Sequence, residues 1–390
     1  MFCDGPAPRV ALVGAGGFGL VHRREMRPLH EAGHIRLVAM ADLQPITPAA
    51  GAPLPAGVSL HADHREMLAT VRPDVAIVAT PPHTHLPIAV EALEAGCDVL
   101  LEKPPVVSTA EHHALAGAVL RTGRACQVGF QSLGSAALAS LLAAVSAGAL
   151  GDVVGVSIAG TMRRDDAYYT RAAWAGRRTL GGRPVLDGAL VNPFAHGLML
   201  GLAVAGAAAA GAPRLLEAER YRARDIEVDD TTSARVTFAS GLRLVAAVTL
   251  CGEGGGFGEV TVHGTAGRAF FDYASDRLRL PGDAAPREVA GRVGLLENLI
   301  AHRATGADLV AALTRTAPFT ALAEAVAAGE PTPVPPDQVV AAGEGDRRVR
   351  VVRHVDAAVR EAAGRLATFS EIGVPWATAP HRVGLDGGRG

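Results

Sequence analysis

Gly14, Gly16 and Gly19 are spaced G-x-G-x-x-G, directly after the short apolar run Arg9 to Val13 and directly before a helical stretch that reaches about Ala32. In that setting the spacing points to dinucleotide binding. Gly14 makes the turn, and Gly16 lets the backbone approach a pyrophosphate. The helix opening at Gly17, Phe18 and Gly19 offers free N–H groups and a partial positive charge. A second apolar run, Ile35 to Ala41, ends at Asp42, where an acid reaches ribose hydroxyls and repels a 2′-phosphate. NAD is therefore expected in preference to NADP. Without the strand, the helix and the acid, the glycines would be only a turn.

Of 37 cationic side chains, 36 are arginine and one, Lys103, is lysine. Arginine holds its proton, whereas a lysine can be tuned by burial and take part in proton chemistry. Lys103 lies in Leu101-Glu102-Lys103-Pro104-Pro105, at the end of one apolar run, and Ala79-Thr80-Pro81-Pro82-His83-Thr84-His85 lies at the end of another. Both sit at the carboxyl ends of expected parallel strands, the edge where open α/β sheets bind ligands, so Lys103 is expected to face the nicotinamide end of a dinucleotide. H-x-H at His83 and His85 has a metal-ligand spacing, but neither cysteine nor a cluster of acids supports it, and no metal is expected.

The order of G-x-G-x-x-G, an acid after the second strand, T-P-x-x-x-H and E-K-P resembles the glucose-fructose oxidoreductase and inositol dehydrogenase (Gfo/Idh/MocA) family, specifically over residues 9 to 131 and more loosely beyond. The resemblance implies that Thr80, Pro81, His85, Glu102 and Lys103 line or support the cofactor site, His85 as the family's structural histidine. It also implies that Lys103 hydrogen-bonds the substrate hydroxyl that becomes a carbonyl. A D-x-x-x-H histidine in the second domain takes the proton, and the matching segment runs from Asp187 to His196. Asn192 stands four residues before His196, where the family usually has aspartate. This departure removes a charge that raises the histidine's basicity, and it leaves Asp187 as a candidate substitute. Asn192→Asp is accordingly expected to be tolerated or to raise activity. The resemblance further implies a homodimer or homotetramer.

The stretch from Arg163 to Arg178 concentrates Arg163, Tyr168, Tyr169, Arg171 and Trp174 in a chain that is only 4% aromatic. Aromatic faces covering C–H patches, with arginine, aspartate and tyrosine on hydroxyls or an acidic group, suit a sugar or cyclitol. An inter-domain or subunit loop built on core aromatics fits equally.

A net charge of −2 lacks the cationic field that nucleic acid or an anionic membrane surface attracts. Cys3, Cys97, Cys126 and Cys251 are scattered, with no C-x-x-C pair, and the opening Met1 to Pro6 has neither a basic nor an apolar region, so a cytoplasmic protein without a signal peptide is expected. The weakly polar run Leu198 to Ala212 is too short for a bilayer and reads as a buried helix.

The elements that must position these residues alternate strand and helix up to about residue 131: a strand at Asp74 to Ala79, helices at His64 to Ala69, Leu86 to Ala95 and Ala110 to Arg121, and strands at Val99 to Leu101 and Ala125 to Phe130. Such alternation implies a doubly wound parallel sheet. The proline-rich segment Leu43 to Leu60 reads as an irregular loop insulating the two halves of that sheet. Beyond it come a helix at Ala136 to Ala147, a strand at Val153 to Thr161, closely spaced strand runs between Thr231 and Tyr273, and helices at Leu295 to His302 and Ala317 to Ala328. The expected architecture is a Rossmann domain, 1–131, followed by an α+β substrate-binding and oligomerisation domain on a mainly antiparallel sheet, 132–390. The expected function is hydride transfer between NAD and a secondary alcohol or ketone of a polyhydroxylated small molecule. An NAD-dependent glycosidase with transient oxidation and a non-catalytic dinucleotide-binding protein are the alternatives.

Overall fold

The computed structural model describes residues 6–385; Cys3 and most of the opening segment lie outside them. The chain forms two compact units. One comprises Met1–Gln131 with Val293–Ala317, the other Ser132–Arg292 with Pro318–Gly390. The expectation of two consecutive domains is corrected at residues 293–317, which return to the first unit. The reason is visible in side-chain bonds: Arg303 pairs with Asp74 at 2.8 Å and with Asp98 at 2.7 Å, and Gln127 Nε2 donates to the Leu295 carbonyl at 2.5 Å.

In the first unit, β1 (Arg9–Val13), β2 (Arg36–Ala41), β3 (Ser59–His61), β4 (Val75–Val78), β5 (Asp98–Leu101) and β6 (Cys126–Val128) form a parallel sheet in the order β3-β2-β1-β4-β5-β6. Every residue of β4 and β5 is buried, as both-sided cover by helices requires of unalternating apolar runs. The crossovers are α1 (Gly19–Glu31), α2 (His64–Val71), α3 (His85–Glu94) and α4 (Thr109–Thr122). Polar caps set two of them: Asp63 accepts from Arg65 N, and Ser108 from Glu111 N at 3.1 Å, before Gly123 ends α4 at φ +63°. The Leu43–Leu60 segment does not insulate the halves of the sheet. β1 pairs directly with β2 and β4, while the segment leads out to the edge strand β3, held on α1 by Arg23 donating to the Thr47 and Ala52 carbonyls.

The second unit is built on a ten-stranded mixed sheet. In spatial order it runs Arg287–Glu288, Arg277–Arg279, Gly267–Asp272, Phe257–Gly264, Val153–Thr161, Arg243–Thr249, Thr231–Phe238, Pro213–Arg222 and Thr332–Pro333, with His381–Gly384 also pairing to Pro213–Arg222. The pairings are antiparallel except two. Against it lie α5 (Ala136–Ser146) and α7 (Ala195–Ala207), while the short α6 (Asp166–Thr170), between them in the chain, packs on the turn at Gly345–Arg347. The expected helix at Leu198 to Ala212 is thus α7, starting three residues earlier and ending near Ala207. Its glycines let it lie close on the sheet: a Cβ on Gly197 would stand 2.8 Å from Ile158, and one on Gly201 2.7 Å from Leu244. On the other face, Tyr221, Phe369 and Trp376 cluster with Val355 and Val359 of a helix at Val355–Arg365. Among the described residues no helix is long and apolar enough to cross a membrane.

Candidate functional site

The glycine-rich loop joins β1 to α1. Gly14 has φ +87°, and a Cβ there would lie 2.6 Å from the Ala79 carbonyl oxygen; on Gly19 it would lie 1.9 Å from the Gly14 carbonyl. These two glycines are required by the fold itself, one for the turn and one for helix-on-strand packing. Gly16 differs. Its Cβ would meet only Asp42 Oδ2, at 3.7 Å, so nothing within the chain demands glycine there. Gly16 and Gly17 are exposed at the head of α1 beside the exposed ring of Phe18. Asp42 lies at the end of β2, and its Oδ2 accepts from Ala15 N at 2.8 Å and Gly16 N at 3.0 Å, while Oδ1 accepts from Gln44 N at 2.9 Å. A carboxylate has about four acceptor positions, so it can hold the loop and still receive ribose hydroxyls. The open cradle, the α1 N-terminus and the acid together fit a dinucleotide.

Lys103 follows β5 and is half-buried, with its peptide N–H donating to Glu102 Oε2 at 3.2 Å. Glu102 and His85, grouped with the cofactor residues by resemblance, are buried, and their polar atoms are taken up by the protein. His22 Nε2 lies 2.8 Å from Glu102 Oε1, which also accepts from Gln131 Nε2 at 3.2 Å. Burial raises the Glu102 pKa, but the His22 hydrogen bond and charge, together with the Lys103 charge and peptide N–H, outweigh it and hold the carboxyl below its usual range. The His85 ring stands between two main-chain carbonyls, Nε2 2.7 Å from Thr80 O and Nδ1 2.8 Å from Pro104 O, and burial lowers its pKa. In the neutral form that burial favours, the ring donates to one of these carbonyls and packs against the other, between the Thr80–Pro81 and Lys103–Pro104 loops. With both ring nitrogens so placed, His85 is a brace. Among the described residues no group of three or more His, Cys, Asp or Glu side chains is placed to hold a metal ion. His22 and Gln131 escaped the sequence reading; a lone histidine on a helix carries no spacing that marks it.

In the second unit, His196 sits in the first turn of α7, half-buried, with Nδ1 3.2 Å from Ser132 Oγ. Asp187 is buried; its Oδ2 accepts from Gly176 N at 2.8 Å and its Oδ1 from Asn192 Nδ2 at 2.9 Å. Asp187 thus lies behind Asn192 and takes its amide as a hydrogen-bond donor. The Gly176 bond also closes the 163–178 stretch onto this group. Within that stretch, Tyr168 and Tyr169 pack edge to face at 5.1 Å, and the Arg171 guanidinium lies over both the Tyr168 and Trp174 rings. Burial, then the Asp187 charge, pushes the Tyr168 hydroxyl up to about 12. Arg163, Tyr168, Tyr169, Arg171 and Trp174 thus lie on one segment joined to Asp187. Ser132 was not foreseen, since no motif contains it.

A glycine cradle and acid at the carboxyl edge of a parallel sheet define a Rossmann-type dinucleotide-binding protein. Residues 8–130 match the description "Oxidoreductase family, NAD-binding Rossmann fold", and residues 138–270 match the GFO/IDH/MocA C-terminal domain. The chain belongs to the Gfo/Idh/MocA oxidoreductase family. It is 28% identical over 180 residues to the D-glucoside 3-dehydrogenase of Escherichia coli, covering 46% of this chain and 50% of that protein. It is 31% identical over 147 residues to inositol 2-dehydrogenase 1 of Saccharopolyspora erythraea, covering 37% and 43%. The chain thus spans about half, or less, of the length of the curated relatives it matches. Its fold is that of the WlbA dehydrogenase from Bordetella pertussis, solved with NADH and UDP-GlcNAcA (TM-score 0.70, 23% identity, 82% of this chain and 95% of that one). It is likewise that of a levoglucosan dehydrogenase solved with NADH (TM-score 0.68, 20% identity, 82% and 96%).

Proposed function

We propose that the protein is an NAD-dependent oxidoreductase acting on a secondary alcohol or ketone of a sugar, cyclitol or related polyol. The observation that carries the reading is Lys103 just beyond β5, in a chain whose β1–α1 loop leaves Gly16 open for a pyrophosphate. The names of the matched relatives, a glucoside dehydrogenase and an inositol dehydrogenase, support the substrate class.

In this reading Gly17 and Phe18 present main-chain N–H groups to the pyrophosphate, Gly14, Gly16 and Gly19 shape the cradle that receives it, and Asp42 accepts from the ribose hydroxyls. NAD, when bound, supplies the redox chemistry. Lys103 donates a hydrogen bond to the substrate hydroxyl and stabilises the charge that grows on its oxygen. His196 takes the hydroxyl proton, with Ser132 orienting the ring and the Asp187–Asn192 pair setting its surroundings. His85 and Glu102 keep the two loops beside Lys103 in place. Asp42 makes NAD the preferred cofactor over NADP. The same reading takes the protein to be cytoplasmic, as the free, buried Cys97, Cys126 and Cys251 suit, and to be a homodimer or homotetramer.

Incubating the purified chain with NAD and a panel of sugars and cyclitols tests the reading by the growth of NADH absorbance. Turnover of a polyol with NADH formation is the expected result. Glycoside cleavage without NADH, or cofactor binding with no turnover, overturns it.

A further inference from the structure

The arginines of the 163–178 stretch divide into two kinds. Arg177 pairs with Glu227 at 2.6 Å and Arg178 pairs with Glu330. Among the described residues no carboxylate lies within the 4.0 Å ion-pair distance of Arg163, Arg164 or Arg171. The two acids of the same stretch are engaged elsewhere. Asp165 accepts from Tyr168 N at the start of α6, and Asp166 pairs with Arg350 at 2.5 Å and Arg224 at 3.4 Å. Arg164 and Arg171 nevertheless converge, their guanidinium carbons 4.8 Å and 3.6 Å from the centroid of one ring, Tyr168. Arg164 is half-buried, and its Nε is shut off from solvent with no hydrogen-bond partner.

Two cations drawn to one aromatic ring repel each other, and a partly buried guanidinium donor left unmatched is costly. An anion placed against both relieves the repulsion and can take the guanidinium N–H groups that stay open to solvent. Arginine suits this task because its planar fork presents paired N–H groups to carboxylate or phosphate oxygens. The ring they share carries a neutral hydroxyl, and the Gly176–Asp187 bond ties the stretch to the segment that leads into His196.

We propose that Arg164 and Arg171, stacked on Tyr168, seat an anionic group of the substrate, a carboxylate or a phosphate, beside its hydroxyls. The proposal rests on the polyol reading above and narrows its substrate class to acidic sugars or sugar phosphates.

Calorimetric titration of the full chain, loaded with NADH, with D-glucose, D-glucuronate and D-glucose 6-phosphate tests the seat without requiring turnover. The expected result is binding of an anionic sugar about tenfold or more tighter than glucose, the scale of one or two charge-assisted hydrogen bonds. Which of the two anionic sugars gains separates carboxylate from phosphate. The margin should shrink with added salt and fall at least about tenfold in Arg164→Gln/Arg171→Gln, with NADH affinity kept. Arg171 is exposed, so Arg171→Gln alone gives the reading if the double variant fails to fold. No preference for either anionic sugar, or a preference that survives the substitutions, overturns the proposal. Binding of an anionic sugar with no NADH formed from any polyol leaves the seat and removes the dehydrogenase reading; turnover of neutral polyols without a charge preference does the reverse.

Discussion

At the β1–α1 loop the polar contacts are made by the main chain: Asp42 receives the Ala15 and Gly16 N–H groups, and Gly14 and Gly19 are fixed by carbonyls that would collide with any Cβ. In the segment that leads into His196, side chains meet side chains, Ser132 with His196 and Asn192 with Asp187. The difference decides how each region tolerates change. Main-chain contacts admit no substitute for glycine, so the loop keeps its spacing. A side-chain network leaves more freedom, as the pairing of an amide at 192 with a carboxylate at 187 illustrates.

The largest expected effect tests whether the two regions serve one reaction. Lys103→Ala should lower turnover by roughly 10²-fold or more, the scale of a positioned acid–base or electrostatic group, with NAD affinity nearly unchanged. His196→Ala should cost a comparable factor in the same assay. Lys103→Arg should not rescue, because arginine keeps the charge but is larger, planar and unable to shift its proton. Near wild-type rates in Lys103→Ala would remove lysine from the chemistry and leave the loop as a binding device.

Gly16→Val comes next and probes the main-chain side of the comparison. The nearest atom to its Cβ is Asp42 Oδ2 at 3.7 Å, so the protein should fold with its melting temperature nearly unchanged. NADH affinity, measured by fluorescence titration, should drop about tenfold or more, because the side chain occupies the approach of the pyrophosphate. Retained affinity would mean that the open face of the loop is not where the cofactor lies.

The same contrast explains what was legible in the sequence. Gly14, Gly19 and the all-buried β4 and β5 obey steric and burial rules that act over a few residues, so spacing alone revealed them, and with them the parallel sheet. β3 went unseen because Ser59–His61 is three residues long and follows a run of prolines. The helix at Leu295–Thr305 was legible as a helix, but nothing in its periodicity says which unit it joins; that is set by Arg303 meeting Asp74 and Asp98, more than two hundred residues earlier. His22 and Ser132 gain their roles only through distant partners, Glu102 and His196, and Asn192 looked like a lost charge until Asp187 was found behind it.

That last pair reverses an expectation. Restoring aspartate at 192 looked harmless from the sequence, but it would place a carboxylate where Asn192 Nδ2 now donates to Asp187 Oδ1 at 2.9 Å. Two carboxylates so close must share a proton, which raises the pKa of one of them. Asn192→Asp should therefore behave well below the raised pKa and lose activity and stability as pH rises through it, by about 1–3 kcal/mol, the cost of an unmade buried hydrogen bond. The exchange Asp187→Asn/Asn192→Asp restores one acid and one amide and should recover most of the loss at neutral pH. If Asn192→Asp alone is neutral across the pH range, the two residues are not coupled.

The smallest expected effect is at Ser132, which bears on whether the side-chain network orients His196 or merely lies near it. Ser132 is buried, and its Oγ is 3.2 Å from His196 Nδ1. With the proton on Nδ1 donated to the serine oxygen, Nε2 is left bare and able to accept the substrate proton, which is the tautomer a base needs. Ser132→Ala removes that preference without touching the ring, so the loss should be that of one neutral hydrogen bond, about 0.5–1.5 kcal/mol, or a few-fold to about tenfold in kcat. KM should change little, because the serine is assigned no contact with substrate. Ser132→Thr keeps a hydroxyl at the same position and should restore most of the rate. The pH profile separates the roles: loss of an orienting bond should move the acidic limb of kcat, where the base gains its proton, whereas mere loosening of packing should lower the melting temperature and leave the limb in place. An unchanged kcat and profile in a well-folded Ser132→Ala would show that His196 takes its orientation from elsewhere.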